Sequence, residues 1–236
     1  MKHVLTILLV FMIGTVQAQN RLRPTVDLTL AAGSSQATFS LVGWHQWQLG
    51  RKQRLSIGVG PRITSYVGNK KDFWTAPASI ARGSSTPFLV VLSSQETQNW
   101  DTLNVQRPFV FSMNAAVQVA HQIGKRFRAG FNIDLVGFSV GRTSAAVFTS
   151  DGRQETTEAK PVPFNLLLTG DLDQGSLNSE FFVQYRLKEK WSLRAVYQFY
   201  FVEYKTNTSI QQLPEPNDRF RNKANLLGIG LSYSLN

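Results

Sequence analysis

The stretch that decides the fold is Phe109-Val-Phe-Ser-Met-Asn-Ala-Ala-Val-Gln-Val-Ala120. It is followed by His121-Gln-Ile-Gly-Lys-Arg126 and Phe127-Arg-Ala-Gly-Phe-Asn-Ile-Asp-Leu135. Phe109, Phe111, Met113, Ala115, Val117 and Val119 take every second place, with Ser112, Asn114, Ala116, Gln118 and Ala120 between them. After the basic turn the alternation restarts, Phe127, Ala129, Phe131, Ile133 and Leu135 against Arg128, Gly130, Asn132 and Asp134. A strict period of two places apolar and polar residues on opposite faces of two β-strands joined by a tight turn.

Outward from this hairpin the same rhythm fills most of the 236 residues. Strands are expected at about 25–33, 37–49, 55–66, 107–120, 127–140, 177–187, 191–204 and 223–235. Tight basic turns (Gly50–Arg54, Ile123–Lys125, Lys188–Lys190) alternate with long polar connections, residues 67–104 and 141–175. Two apolar runs inside those connections, Phe88–Leu92 and Val162–Leu168, are read either as extra strands or, the preferred reading, as extensions of the hairpins above the main sheet. Pro61 cannot donate to a ladder and suggests a bulge in the third strand. The fold class is therefore all-β, an eight-stranded antiparallel up-and-down barrel.

Residues 1–18 form an expected secretory signal: Lys2, an apolar run Val4–Val16 and a small-residue site ending at Ala18. Residues 19–236 form one domain, with no seam of linker composition. Cysteine is absent and the formal charge is +10. The basic residues are scattered along strands and turns instead of lining an aromatic-basic groove, so nucleic acid is not an expected partner. Anionic headgroups suit such a surface.

An eight-stranded barrel can carry its apolar face inside, around a greasy ligand, or outside, against lipid. Its interior is just wide enough to be filled by side chains. It cannot hold the many Phe, Trp and Tyr of the apolar face, whereas Gly, Ser, Ala, Asn and Gln of the other face fit. Apolar spans such as Phe109–Val119 and Trp191–Phe201 match the 9–11 residues of a tilted membrane strand. Trp47, Phe127, Tyr185, Trp191 and Tyr233 fall beside the tight-turn ends, as an interfacial aromatic girdle would. The expected address is the outer membrane of a Gram-negative cell envelope, with both termini in the periplasm.

Signal, alternating strands, short turns and long loops, as in Leu49-Gly-Arg-Lys-Gln-Arg-Leu-Ser-Ile-Gly-Val-Gly60, resemble the small barrels of OmpA/OmpX type. They are similar to the "outer membrane protein β-barrel" families common in Bacteroidota. The resemblance implies a fold and a location, not an activity.

Inward-facing charges make up the expected lumen network: counting up from the tight turns, Arg62, Asp134 and Glu180 fall at mid-lumen and Arg128, Arg186 and Arg194 lower, with Asp27 the nearest inward acid. Buried charges need partners, so a salt-bridged, plugged lumen is expected, with a structural or loop-mediated binding role. A small pore for ions or apolar solutes is the alternative. Arg219, Arg221 and Lys223 recur on the outward parity above the last apolar run and are candidates to meet lipopolysaccharide phosphates. The expected partners are outer-membrane lipid, lipopolysaccharide and, through the long loops, another envelope protein. His45 and His121 lie on the outward parity with no Ser and acid at matching height, so a lipid A-modifying enzyme stands third. No catalytic residue, metal site or cofactor is read from the sequence.

Overall fold

A computed structural model describes residues 24–84, 86, 93–168 and 170–235. The export signal and the run Phe88–Leu92 lie outside these residues. Thirteen strands take the place of the eight expected. They are β1 (Thr25–Gly33), β2 (Gln36–Leu49), β3 (Leu55–Gly68), β4 (Lys71–Thr75), β5 (Thr102–Val105) and β6 (Phe109–Ile123). There follow β7 (Phe127–Gly141), β8 (Ser144–Ser150), β9 (Arg153–Pro161), β10 (Phe164–Leu166), β11 (Leu177–Arg186), β12 (Trp191–Thr206) and β13 (Arg219–Ser234). One short helix, α1 (Ala78–Ala81), lies between β4 and β5.

The strands pair in two linked circuits. The lower one runs β1–β2–β3–β6–β7–β11–β12–β13 and returns to β1, antiparallel throughout. The upper one runs β12–β9–β8–β5–β4–β13, closed by the same β12–β13 pair. The closure is uneven at one place. Above the start of β11, the free edge of β7 is taken by β10, with Phe164 opposite Phe138. Of the two readings of the run Val162–Leu168, the extra strand therefore holds for Phe164–Leu166, which lies in the wall and not above it.

Burial follows the period of the sequence. In β6, Val110, Ser112, Asn114, Ala116, Gln118 and Ala120 are buried while Phe109, Phe111, Met113 and Val119 are exposed. Large apolar side chains stand outward around the lower circuit, with Phe138, Leu227 and Ile229 66%, 72% and 68% exposed. A continuous apolar exterior of this extent is not what a water-solvated monomer presents. At the tight-turn end, Tyr185 lies opposite Phe127 with ring centroids 5.0 Å apart, and Trp191 opposite Tyr233 at 4.8 Å. Trp47 is half-buried on the same outward parity, opposite Ile57. No helix among the described residues is long and apolar enough to cross a membrane, which says nothing of strands.

The expected bulge at Pro61 is corrected. The β2–β3 ladder skips from Val42–Arg62 to His45–Val59 without changing register, because Gly60 lets the Gly43 carbonyl close in. A Cβ on residue 60 would stand 1.7 Å from that oxygen. The register shift falls instead in the β6–β7 hairpin, where Ala115 pairs with Val136 but Ala116 with Asp134. Leu135 is the extra residue, so Leu135 and Val136 both face out and the parity of β7 inverts above them.

If the exterior meets lipid, Phe111→Arg costs about 2–4 kcal/mol near the middle of the apolar belt. The measurement is reversible guanidinium unfolding in phospholipid vesicles. Thr156→Arg on the upper circuit should stay within about 0.5 kcal/mol of the parent. An equal, negligible effect of both changes would show that the belt faces water.

Candidate functional site

The interior is layered. At mid-height in the lower circuit, the Arg62 Nη1 atom lies 3.1 Å from Asp134 Oδ1 and also donates to the Asn178 carbonyl at 3.3 Å. Its other terminal nitrogen donates to Asn132. Asp134 accepts further hydrogen bonds from Asn114 Nδ2 at 2.7 Å and the Asn178 amide at 3.0 Å. The second centre is Arg194, 2.6 Å from Asp27 Oδ2 and 3.2 Å from Glu180 Oε2. Glu180 also accepts from Asn132 Nδ2 at 3.1 Å and Ser40 Oγ at 3.4 Å. Seven of the eight strands of the circuit contribute, and β13 places Gly228 and Gly230 at the remaining positions, close against β1.

Of the seven residues expected in the lumen network, the structure brings together Asp27, Arg62, Asp134, Glu180 and Arg194. Arg128 is lower and bonds neutral partners, Gln46 Oε1 and Ser56 Oγ, both at 2.7 Å. Arg186 is exposed at the mouth and makes no ion pair among the described residues. Two inward aromatics escaped the sequence reading. Trp44 donates its Nε1 proton to Asp27 at 2.9 Å and lies under Arg62, with Cζ 5.8 Å from the ring centre. Phe182 stacks on Arg194 at 4.5 Å. Each sits on the polar parity of its strand, the one signal that could have marked it.

Above this level the interior turns apolar. Phe73, Leu103, Phe148, Val202, Tyr204 and Phe220 are all buried in one cluster inside the upper circuit. Phe73 meets Tyr204 edge-on at 5.1 Å, and Phe148 meets Phe220 at 5.8 Å. Below it lies a polar cup of about 490 Å³, open at the tight-turn end and lined by residues that include Arg54, Arg128, Arg186 and Ser232.

On the outer face near the rim, Arg219, Arg221 and Lys223, the candidates for lipopolysaccharide phosphates, are each held by a carboxylate of this chain. Glu203 takes Arg219 at 2.9 Å and Arg221 at 2.6 Å, and Asp171 takes Lys223 at 2.6 Å and also binds Arg82. Arg221 is only 4% exposed, because the Gly170–Leu172 turn lies over it and it donates to the Asp173 carbonyl. Its guanidinium also stacks on Phe201 at 5.0 Å. Burial works against the Asp171 anion, but the hydrogen bonds and charges of Arg82, Lys223 and Arg221 outweigh it and hold its carboxyl below the usual aspartate range.

His45 and His121 are exposed on the outer wall, and neither is hydrogen-bonded to a Ser or a carboxylate among the described residues. No three His, Cys, Asp or Glu side chains converge as metal ligands among the described residues.

No family model matches the chain, and no curated protein matches it. Among solved structures it is similar to Neisserial surface protein A, at 13% identity and TM-score 0.35, covering 90% of this chain and 94% of that one. It is similar to Ail, the attachment invasion locus protein of Yersinia pestis, at 9% identity and TM-score 0.35, covering 92% and 100%. A third is the CymD monoaromatic hydrocarbon channel, at 10% identity and TM-score 0.23, covering 93% and 90%. At such scores the functional reading rests on the geometry of this chain.

Two outcomes follow from the charges. Arg194→Met strands Asp27 and Glu180 and should cost about 3–5 kcal/mol in unfolding, whereas exposed Arg186→Gln should change little. Because the folded-state carboxyl of Asp171 lies below its unfolded value, its stabilisation is complete above the ordinary aspartate range and is lost as pH falls through the folded value. Amide exchange of residues 170–173 should therefore stay slow from neutral pH down to about pH 4. In Asp171→Asn it should be fast already at neutral pH.

Proposed function

We propose that the chain is an outer-membrane β-barrel with a plugged lumen and a structural or loop-mediated binding role in the envelope. One observation carries this reading. The lower circuit returns on itself with apolar side chains outward and with Arg62, Arg194 and their carboxylates paired inward at mid-height. Closure leaves no strand edge for lipid to strip of its hydrogen bonds. The exposed belt supplies the lipid contact, and the paired aromatics at the tight-turn end suit the headgroup boundary. The tight turns and both ends of the described chain lie at one end of the barrel. That end is the periplasmic one in this reading, and the upper circuit projects outside the cell.

Two layers argue for a plug over a pore. The ion-paired middle level crosses the lumen, and the apolar cluster of the upper circuit closes the path above it. Desolvating an ion through that cluster is expensive. The upper circuit is a rigid platform whose outward residues are the natural contact for a partner on the cell surface. Lipid and lipopolysaccharide are the proposed neighbours of the belt and rim, with Lys223, 46% exposed on its side chain, the most available of the three rim cations.

The experiment is single-channel recording in planar bilayers with protein refolded from detergent. No steady openings are expected from the parent. Long-lived, sizeable openings in the parent would overturn the plug and support the pore reading.

A further inference from the structure

The cup at the tight-turn end carries a charge the rest of the lumen does not neutralise. Five cations line it, Arg54, Arg126, Arg128, Arg186 and Lys190, against the single acid Glu189. They come from four places in the circuit: the start of β3, the start of β7, the end of β11 and the turn into β12. The level above does not make up the difference. Its three carboxylates already hold two guanidiniums, leaving one excess negative charge against the cup's excess of four. Among the described residues, Arg54, Arg186 and Lys190 make no ion pair, and Arg126 reaches only the Tyr185 hydroxyl at 3.0 Å. Gln46, Gln48, Gln122, Gln184 and the Ser side chains of the wall add neutral hydrogen-bonding groups.

We propose that this cup binds a small phosphate-bearing anion. Arginine forks match phosphate oxygens in pairs, and a concave wall of low dielectric concentrates their field. A volume of about 490 Å³ admits one phosphorylated small molecule or one phospholipid headgroup, but not a folded macromolecule. The geometry of the cup stands by itself; that it faces the periplasm rests on the orientation proposed above.

The test is calorimetric titration of the detergent-solubilised mature chain with inorganic pyrophosphate. Saturable binding that weakens with salt is expected. The double variant R54Q/R186Q changes two exposed side chains and should bind about tenfold more weakly or worse. R153Q, on the upper circuit, should bind as the parent does. Repeating the titration in nanodiscs separates the sources. Competition by phosphatidylglycerol, absent with phosphatidylcholine, identifies a headgroup, and undiminished binding in both identifies a soluble phosphate. No saturable binding in low salt, or equal binding by parent and R54Q/R186Q, would overturn the proposal. Neither result depends on which face of the barrel meets lipid, so the membrane reading would stand.

Discussion

Two arginines hold the lower circuit together from within. Arg62 reaches from β3 to Asp134 on β7, two strands away, and Arg194 reaches from β12 to Glu180 on the neighbouring β11 and to Asp27 on β1, and each is fully buried. An ion that deep is stable only when its partners are close and its remaining protons are satisfied. For Arg62 the Asn132 side chain and the Asn178 carbonyl take terminal protons, and the ring faces of Trp44 and Phe182 cover the two guanidiniums, whose Nε atoms have no hydrogen-bond partner among the described residues. The narrowness of the barrel and its polar filling are thus one constraint. Small residues let opposing walls approach, and close walls let short side chains complete the network.

The strands of the lower circuit were legible because a closed sheet with unlike faces imposes a strict period on its sequence. Of the five additional strands only β10 lies in a run marked as a possible strand, Val162–Leu168. β4, β5 and β10 are three to five residues long, too short to display a period. The β8–β9 hairpin left a signal that went unread: Asp151-Gly152, both at positive φ, between alternating segments, is a strong hairpin turn. Its polar outer face disguised it as a loop. The bulge at Leu135 was invisible because Leu-Val in succession satisfies either parity.

The site was legible in part, for a related reason. Parity says which way a side chain leaves its strand, and it placed Asp27, Arg62, Asp134, Glu180 and Arg194 inward. Counting up from the tight turns sets Arg128 and Arg186 below the mid-lumen level, where they lie, but it also sets Arg194 there and does not show that its long side chain reaches up to Glu180. Nor does it reveal a segment folded across the outside. Arg221 does point outward, but the turn at Gly170–Leu172 covers it and converts an expected lipid contact into an internal latch.

The β12–β13 hairpin belongs to both circuits, and this bears on how the protein comes to be assembled. β13 is the last of the described strands, yet it pairs with β1 below and with β4 above. Neither ring can close without β13, however early the central hairpins form. The contacts most distant in sequence, β1 with β13, are therefore required for the wall, and the same strand is required for the cap. A chain halted before β13 would keep two unsatisfied edges in each ring, a form in which strands of neighbouring molecules could substitute for the missing one.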